Sequence, residues 1–132
     1  MLTFAEGAIS WQSKLQKCIA LSTIEVEYIA LTEAGKEMLW MERFLQELGL
    51  KQDENVVNCD SQSAMELSKN VTYHCCTKHI DVRYHWIRDI VSKQGICLKK
   101  IPTDKNPAYM LTKAVTSAKH QFCAKLVGLS CK

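Results

Sequence analysis

The sequence contains no run approaching the ~18–20 apolar residues of a membrane-spanning helix. No secretory leader is expected, because Met1-Leu2-Thr3-Phe4-Ala5-Glu6-Gly7 has neither a basic flank nor an apolar stretch of the needed length. A C-x-x-C pair is missing, and so are internal repeats, linkers and low-complexity stretches. Strong charge bias is missing too: 17 Lys and Arg against 14 Asp and Glu give a net charge of +3. That balance permits a polyanionic partner without arguing for one. These absences exclude a membrane span, a repeat protein and a secreted disulfide scaffold. The 7 cysteines are odd in number and read as free thiols of a reducing compartment. The chain is expected to be soluble and intracellular, cytoplasmic or nuclear, and not secreted.

What is present fits one domain spanning residues 1–132, with 47% hydrophobic and 23% charged residues. Met1 to Ala5 and Ala8 to Ser13 read as a hairpin with Gly7 in the turn. Ser22-Thr23-Ile24-Glu25 fits a capping box opening a long helix. Its expected buried face is Ile24, Tyr28, Leu31, Ala34, Met38, Met41, Leu45 and Leu48, and Gly49 supplies the stop. Val56 to Cys59 reads as a strand, followed by a short helix from about Ser61 to Ser68. A polar loop from Asn70 to Lys78 leads to a helix from His79 to Gln94, with Ile80, Tyr84, Ile87 and Val91 inward. Ile96 to Ile101 is a strand closed by Pro102. Asn106-Pro107 opens a C-terminal helical segment. The alternation predicts helices packed on a mixed sheet. Trp11, Trp40 and Trp86 read as core or partly buried aromatics.

The carboxylates carry the chemistry. Glu27 lies just beyond the first turn of the long helix, and Asp60 ends a strand where the chain turns into a helix. A carboxylate at a strand end near another on an adjacent helix is one way to hold a divalent ion. Read without further context, Asp60 is more often a helix cap than a ligand, and Glu27 more often an ordinary solvated helix residue.

Four ordered segments go further. They are Ala20-Leu21-Ser22-Thr23-Ile24-Glu25-Val26-Glu27-Tyr28, Asn58-Cys59-Asp60-Ser61-Gln62-Ser63-Ala64, Thr77-Lys78-His79-Ile80-Asp81-Val82-Arg83-Tyr84-His85-Trp86-Ile87-Arg88, and Asn106-Pro107-Ala108-Tyr109-Met110-Leu111-Thr112-Lys113. Together with Gly7-Ala8-Ile9-Ser10-Trp11-Gln12-Ser13-Lys14, they resemble the ribonuclease H domain of copia-type retrotransposon Pol polyproteins. The resemblance implies an α/β fold, a ribonuclease H-like mixed sheet flanked by helices. It also implies Mg2+-dependent cleavage of RNA in RNA–DNA hybrids, with reverse transcriptase upstream in the polyprotein.

Carried over by residue, Glu27 and Asp60 match two of the family's four catalytic and metal-binding carboxylates. Glu25 competes with Glu27 but is better used as the capping partner of Ser22. The fourth position holds Tyr109, a neutral phenol and a poor Mg2+ ligand. The sequence begins inside the family's second strand, so the central first strand and its aspartate are expected to be missing. Lys78, His79, Arg83, His85, Arg88 and Lys113 are the expected nucleic-acid-binding residues, with Lys99 and Lys100 beside them. The plainer reading is solvated faces. His74-Cys75-Cys76 with His79 and His85 lacks ligand spacing, so no zinc is expected. No role follows for Asp81, and Cys59 has no evident base to make it a nucleophile. The leading expectation is a remnant with impaired catalysis. A functional module of a longer polyprotein and a non-enzymatic nucleic-acid-binding domain stay open.

Overall fold

A computed structural model of the chain describes residues 1–16, 19–69, 81–93 and 95–129, with the side chains of 81–85 excepted. The expected loop from Asn70 to Lys78, together with His79, Ile80 and Gln94, lies outside the described residues. The chain divides into two compact units, Cys18–Lys100 and Met1–Lys17 with Ile101–Lys132.

In the larger unit, helix α1 (Thr23–Glu47) begins where Ser22 Oγ accepts the Glu25 N–H at 3.2 Å. Glu25 answers by accepting from the Leu21 N–H at 2.5 Å, one residue further back than the reciprocal bond of a capping box. The helix ends as expected at Gly49, whose φ is +77°. There the Leu50 N–H reaches the Leu45 carbonyl (2.9 Å) and the Gly49 N–H reaches that of Gln46 (3.0 Å), the paired bonds of a Schellman motif.

The buried face of α1 differs from the expected one. Tyr28, Leu31, Thr32, Gly35 and Leu45 are buried, whereas Ile24 and Leu48 are 41% and 59% exposed. Gly35 lies on the buried face. A Cβ there would stand 3.1 Å from both Ile87 Cδ1 and Ile96 Cδ1, so the glycine lets the helix backbone come close to those side chains. Thr32, on the same face, satisfies its hydroxyl by donating to the Tyr28 carbonyl (2.9 Å).

Strand β3 (Val56–Cys59) matches the sequence reading and pairs in parallel with β4 (Cys97–Lys100), Val56 opposite Cys97 and Cys59 opposite Lys100. A parallel pair needs a crossover, supplied by α2 (Gln62–Lys69) and α3 (Asp81–Ser92). Tyr28, Leu31, Val57, Met65, Ile87 and Leu98 form the centre of the core, each large side chain stabilising by roughly 1.5–3 kcal/mol on burial.

The smaller unit holds an antiparallel hairpin, β1 (Leu2–Phe4) and β2 (Gly7–Ser10). Its turn corrects the sequence reading. Phe4 pairs with Gly7, so the two loop residues are Ala5 and Glu6, with φ of +48° and +63°, and Gly7 is already strand. The C-terminal reading holds at its opening, with Asn106 as cap and Pro107 first in a helical segment. Asn106 Oδ1 accepts the Ala108 N–H at 3.1 Å, and Pro107–Leu111 is a 3-10 segment. The α-helix starts later, as α4 (Ser117–Leu126) capped by Thr116. The hairpin meets the end of α4 through a bond from the Ala8 N–H to the Val127 carbonyl (2.9 Å).

The chain is thus mixed α/β, but among the described residues its strands form two separate two-stranded sheets rather than one mixed sheet. Trp86 is partly buried as expected. Trp11 and Trp40 are 64% and 60% exposed, contrary to expectation. Trp40 instead stacks on Phe44, ring centroids 5.7 Å apart, along an outer face of α1. No helix among the described residues is long and apolar enough to cross a membrane.

Candidate carboxylate site

Asp60 immediately follows the buried end of β3, and its own carboxylate is not the cap of α2. That role belongs to Ser61, whose Oγ accepts the Ala64 N–H at 3.3 Å. The parallel register sets Lys100 opposite Cys59, and Lys100 Nζ donates to the Asp60 backbone carbonyl. Glu27 lies on α1 beside the fully buried Tyr28, on a helix that packs against β3. Glu25, the alternative at this end of the helix, is taken up in capping.

Cys59 reports how these charges lie. Burial pushes its thiol above the ordinary value of 9.0, and the negative charges of Asp60 and Glu27 push the same way. Lys100 opposes them. The thiol, 6% exposed and within 3.6 Å of the Ser61 carbonyl oxygen, therefore feels both carboxylates. Helix α1, which bears Glu27, packs against β3, the strand that Asp60 follows. Burial disfavours the Cys59 thiolate, the form that acts as a nucleophile.

The other expected residues separate into four groups. Arg88 is turned to structural use, its Nε donating to the Leu67 carbonyl (3.0 Å) and tying α3 to α2. Lys113 and Tyr109 belong to the smaller unit, with Lys113 Nζ lying 4.9 Å from the centre of the Tyr109 ring. Lys78 and His79 lie outside the described residues, as do the side chains of Arg83 and His85. Lys99 is paired with Glu54 at 3.0 Å. Two of the signals behind this arrangement escape sequence reading: Gly35, and the use of Ser61 rather than Asp60 as a cap.

The donor set does not fit Mg2+. Glu27 and Asp60 are the two carboxylates that the sequence singles out. Among the described residues no group of three or more His, Cys, Asp or Glu could hold a metal. An ion that keeps its water and demands octahedral geometry gains little from two carboxylates.

Comparison with known proteins decides the kinship. The chain is 64% identical over 129 residues to the retrovirus-related Pol polyprotein from transposon TNT 1-94 of Nicotiana tabacum, a match covering 98% of this chain. The chain belongs to the retrovirus-related transposon Pol polyproteins. Two further polyproteins of this kind, from transposons RE1 and RE2 of Arabidopsis thaliana, are 33% and 32% identical, each over 92% of the chain. The chain spans about a tenth of the length of these polyprotein relatives: 10% of the tobacco one and 8% of each of the others. No family model and no solved structure matches it.

Proposed function

We propose that this Pol segment is a single ribonuclease H-like domain, derived from an enzyme that hydrolyses the RNA strand of RNA–DNA hybrids. As it stands, it has lost that catalysis. The observation that carries this reading is the packing of α1, which bears Glu27, against β3, the strand that Asp60 follows. It supports a carboxylate pair supplied by a helix and a strand end, the arrangement that the ancestral chemistry uses. Tyr109 at the fourth position supports the loss, since a phenol at neutral pH adds no negative charge.

In this reading Glu27 and Asp60 are the surviving acidic groups, and Lys100 holds the strand end through the Asp60 carbonyl. Cleavage of a labelled RNA–DNA hybrid with Mg2+ present tests it. The purified chain should leave the hybrid intact. Cleavage that disappears with Glu27→Gln or Asp60→Asn would overturn the proposed loss of activity.

A second reading is favoured by the small share of its relatives that the chain spans: the segment acts as a working module within a longer polyprotein, downstream of reverse transcriptase. A chain extended with upstream polyprotein sequence would then cleave hybrid weakly, and Tyr109→Asp in that extended chain would raise the rate. No change with Tyr109→Asp would count against this reading.

A further inference from the structure

The charge of the chain is unevenly divided. Segments 1–17 and 101–132, the smaller unit, hold seven of the seventeen Lys and Arg but only two of the fourteen Asp and Glu. Residues 18–100 hold the remaining ten basic and twelve acidic residues, so the smaller unit carries net +5 and the larger net −2. The positive surplus of the whole chain resides on the smaller unit.

The described lysines of that unit are Lys14, Lys105, Lys113, Lys119 and Lys125, all exposed except the half-buried Lys119. The ion pairs among the described residues, Lys36–Glu33, Lys93–Asp89 and Lys99–Glu54, all lie in the other unit. Two contacts gather the lysines. Ser13 Oγ donates to the Leu111 carbonyl at 2.8 Å, which sets Lys14 beside the segment bearing Lys113. Lys119 Nζ donates to the Asp104 carbonyl, which sets it beside Lys105. On α4, Lys119, Phe122 and Lys125 follow at intervals of three and share one helix face. Lys119 Nζ lies 5.1 Å from the centre of the Phe122 ring, and that residue is 43% exposed.

We propose that this face of the smaller unit binds single-stranded nucleic acid, its lysines meeting phosphates and the Phe122 ring stacking on an unpaired base. Charge complementarity selects a polyanion. An exposed ring between two lysines selects one with accessible bases, because every base has a π-face to stack and an acidic peptide has none to offer. The inference rests on the polyprotein kinship for the availability of nucleic acid. It requires neither Glu27 nor Asp60, so the hybrid-cleavage assay and the binding assay below fail independently.

Fluorescence anisotropy of a labelled oligothymidylate with the full chain tests the proposal across a salt series. Binding should weaken with salt, each neutralised phosphate contributing about 0.7 to the log–log slope. Lys113→Gln, Lys119→Gln and Lys125→Gln combined should therefore flatten the slope by about 2. Phe122→Ala should weaken binding roughly tenfold and leave the slope unchanged. Phe122→Leu, which keeps apolar bulk but removes the π-face, should weaken it too with the circular dichroism spectrum preserved. Lys36→Gln with Lys93→Gln, in the other unit, should have no effect. Absence of binding in dilute salt, unchanged binding by the lysine or Phe122 variants, equal binding of polyglutamate, or preference for duplex over single strand would each overturn the proposal.

Discussion

The backbone of Gly128 lies so close to the carbonyl oxygen of Glu6 that no side chain fits between them. A Cβ on Gly128 would fall 2.9 Å from the Cα of Gly7 and nearer still to that oxygen. Gly128 also has φ of +75°. Gly49 ends the other long helix with the same conformation, φ +77°, yet has nothing within 4 Å of a Cβ.

The two glycines therefore separate backbone strain from steric exclusion. Gly49→Ala should cost about 1 kcal/mol, the left-handed penalty alone. Gly128→Ala should cost about 2–4 kcal/mol, because the hairpin must also move. Urea denaturation midpoints of the two variants check this, and equal losses would contradict it.

Gly35 sets a contest between helix propensity and packing. Alanine is worth about 1 kcal/mol more than glycine inside a helix. Its methyl would press on Ile87 and Ile96, which are 0% and 2% exposed and have no room to retreat. Packing should win, with Gly35→Ala destabilising by roughly 1 kcal/mol net. Adding Ile87→Val removes one of the crowding methyls, so the double variant should be less destabilised than the two single losses added together. Simple additivity in thermal melts would show that Ile87 is not the obstacle.

The Cys59 thiol offers a test of the carboxylate site that needs no catalysis. Only the thiolate is alkylated. Glu27→Gln with Asp60→Asn should lower the Cys59 pKa and speed its alkylation at fixed pH, and Lys100→Gln should slow it, followed by mass spectrometry of the modified peptide. Rates unmoved by all three changes would mean that the charges do not converge there. The same raised pKa gives a pH dependence. The unfolded thiol ionises near 9.0, before the folded one, so the stability contributed by the neutral buried thiol is present below that pH and lost as pH rises toward the folded value.

Acid acts through a different pair. A hydrogen bond from Lys99 and a second from Cys97, with the charge of Lys99, hold the Glu54 carboxyl below its ordinary value of 4.5. A depressed carboxylate contributes stability above 4.5 that is lost as pH falls through its folded value. Both side chains are about half exposed, 53% and 52%, so the contribution is small and screened by salt. Lys99→Met should flatten the acid limb of the stability curve at low ionic strength and change nothing at high ionic strength.

Much of the larger unit is legible in the sequence. Ser22 and Gly49 are local signals, decided by hydrogen bonds within a few residues, and the Val56–Cys59 run is marked by its own apolar composition; the elements they mark form where expected. Non-local effects are less readable. Ala5 and Glu6 take the left-handed positions because the pairing of Phe4 with Gly7 requires a two-residue loop, although neither residue favours that conformation. Gly35 in the sequence is a blemish in a helix. In the fold it is a packing requirement, visible only once α3 and β4 lie against it. For the site, the chain pattern identifies Glu27 and Asp60 as candidates but not Ser61 as the cap, because both Asp and Ser suit that position. The concentration of lysines in two distant segments means nothing until those segments are known to form one unit.

The bond between Ser13 and the Leu111 carbonyl joins groups 98 residues apart along the chain, and the Ala8–Val127 bond spans a longer interval still. The larger unit is one contiguous stretch of the chain, whereas the hairpin and the end of α4 that it bonds to are separated by that whole stretch. The lysine-rich unit therefore closes across the whole larger unit, and prior folding of that unit lowers the chain entropy lost in the closure.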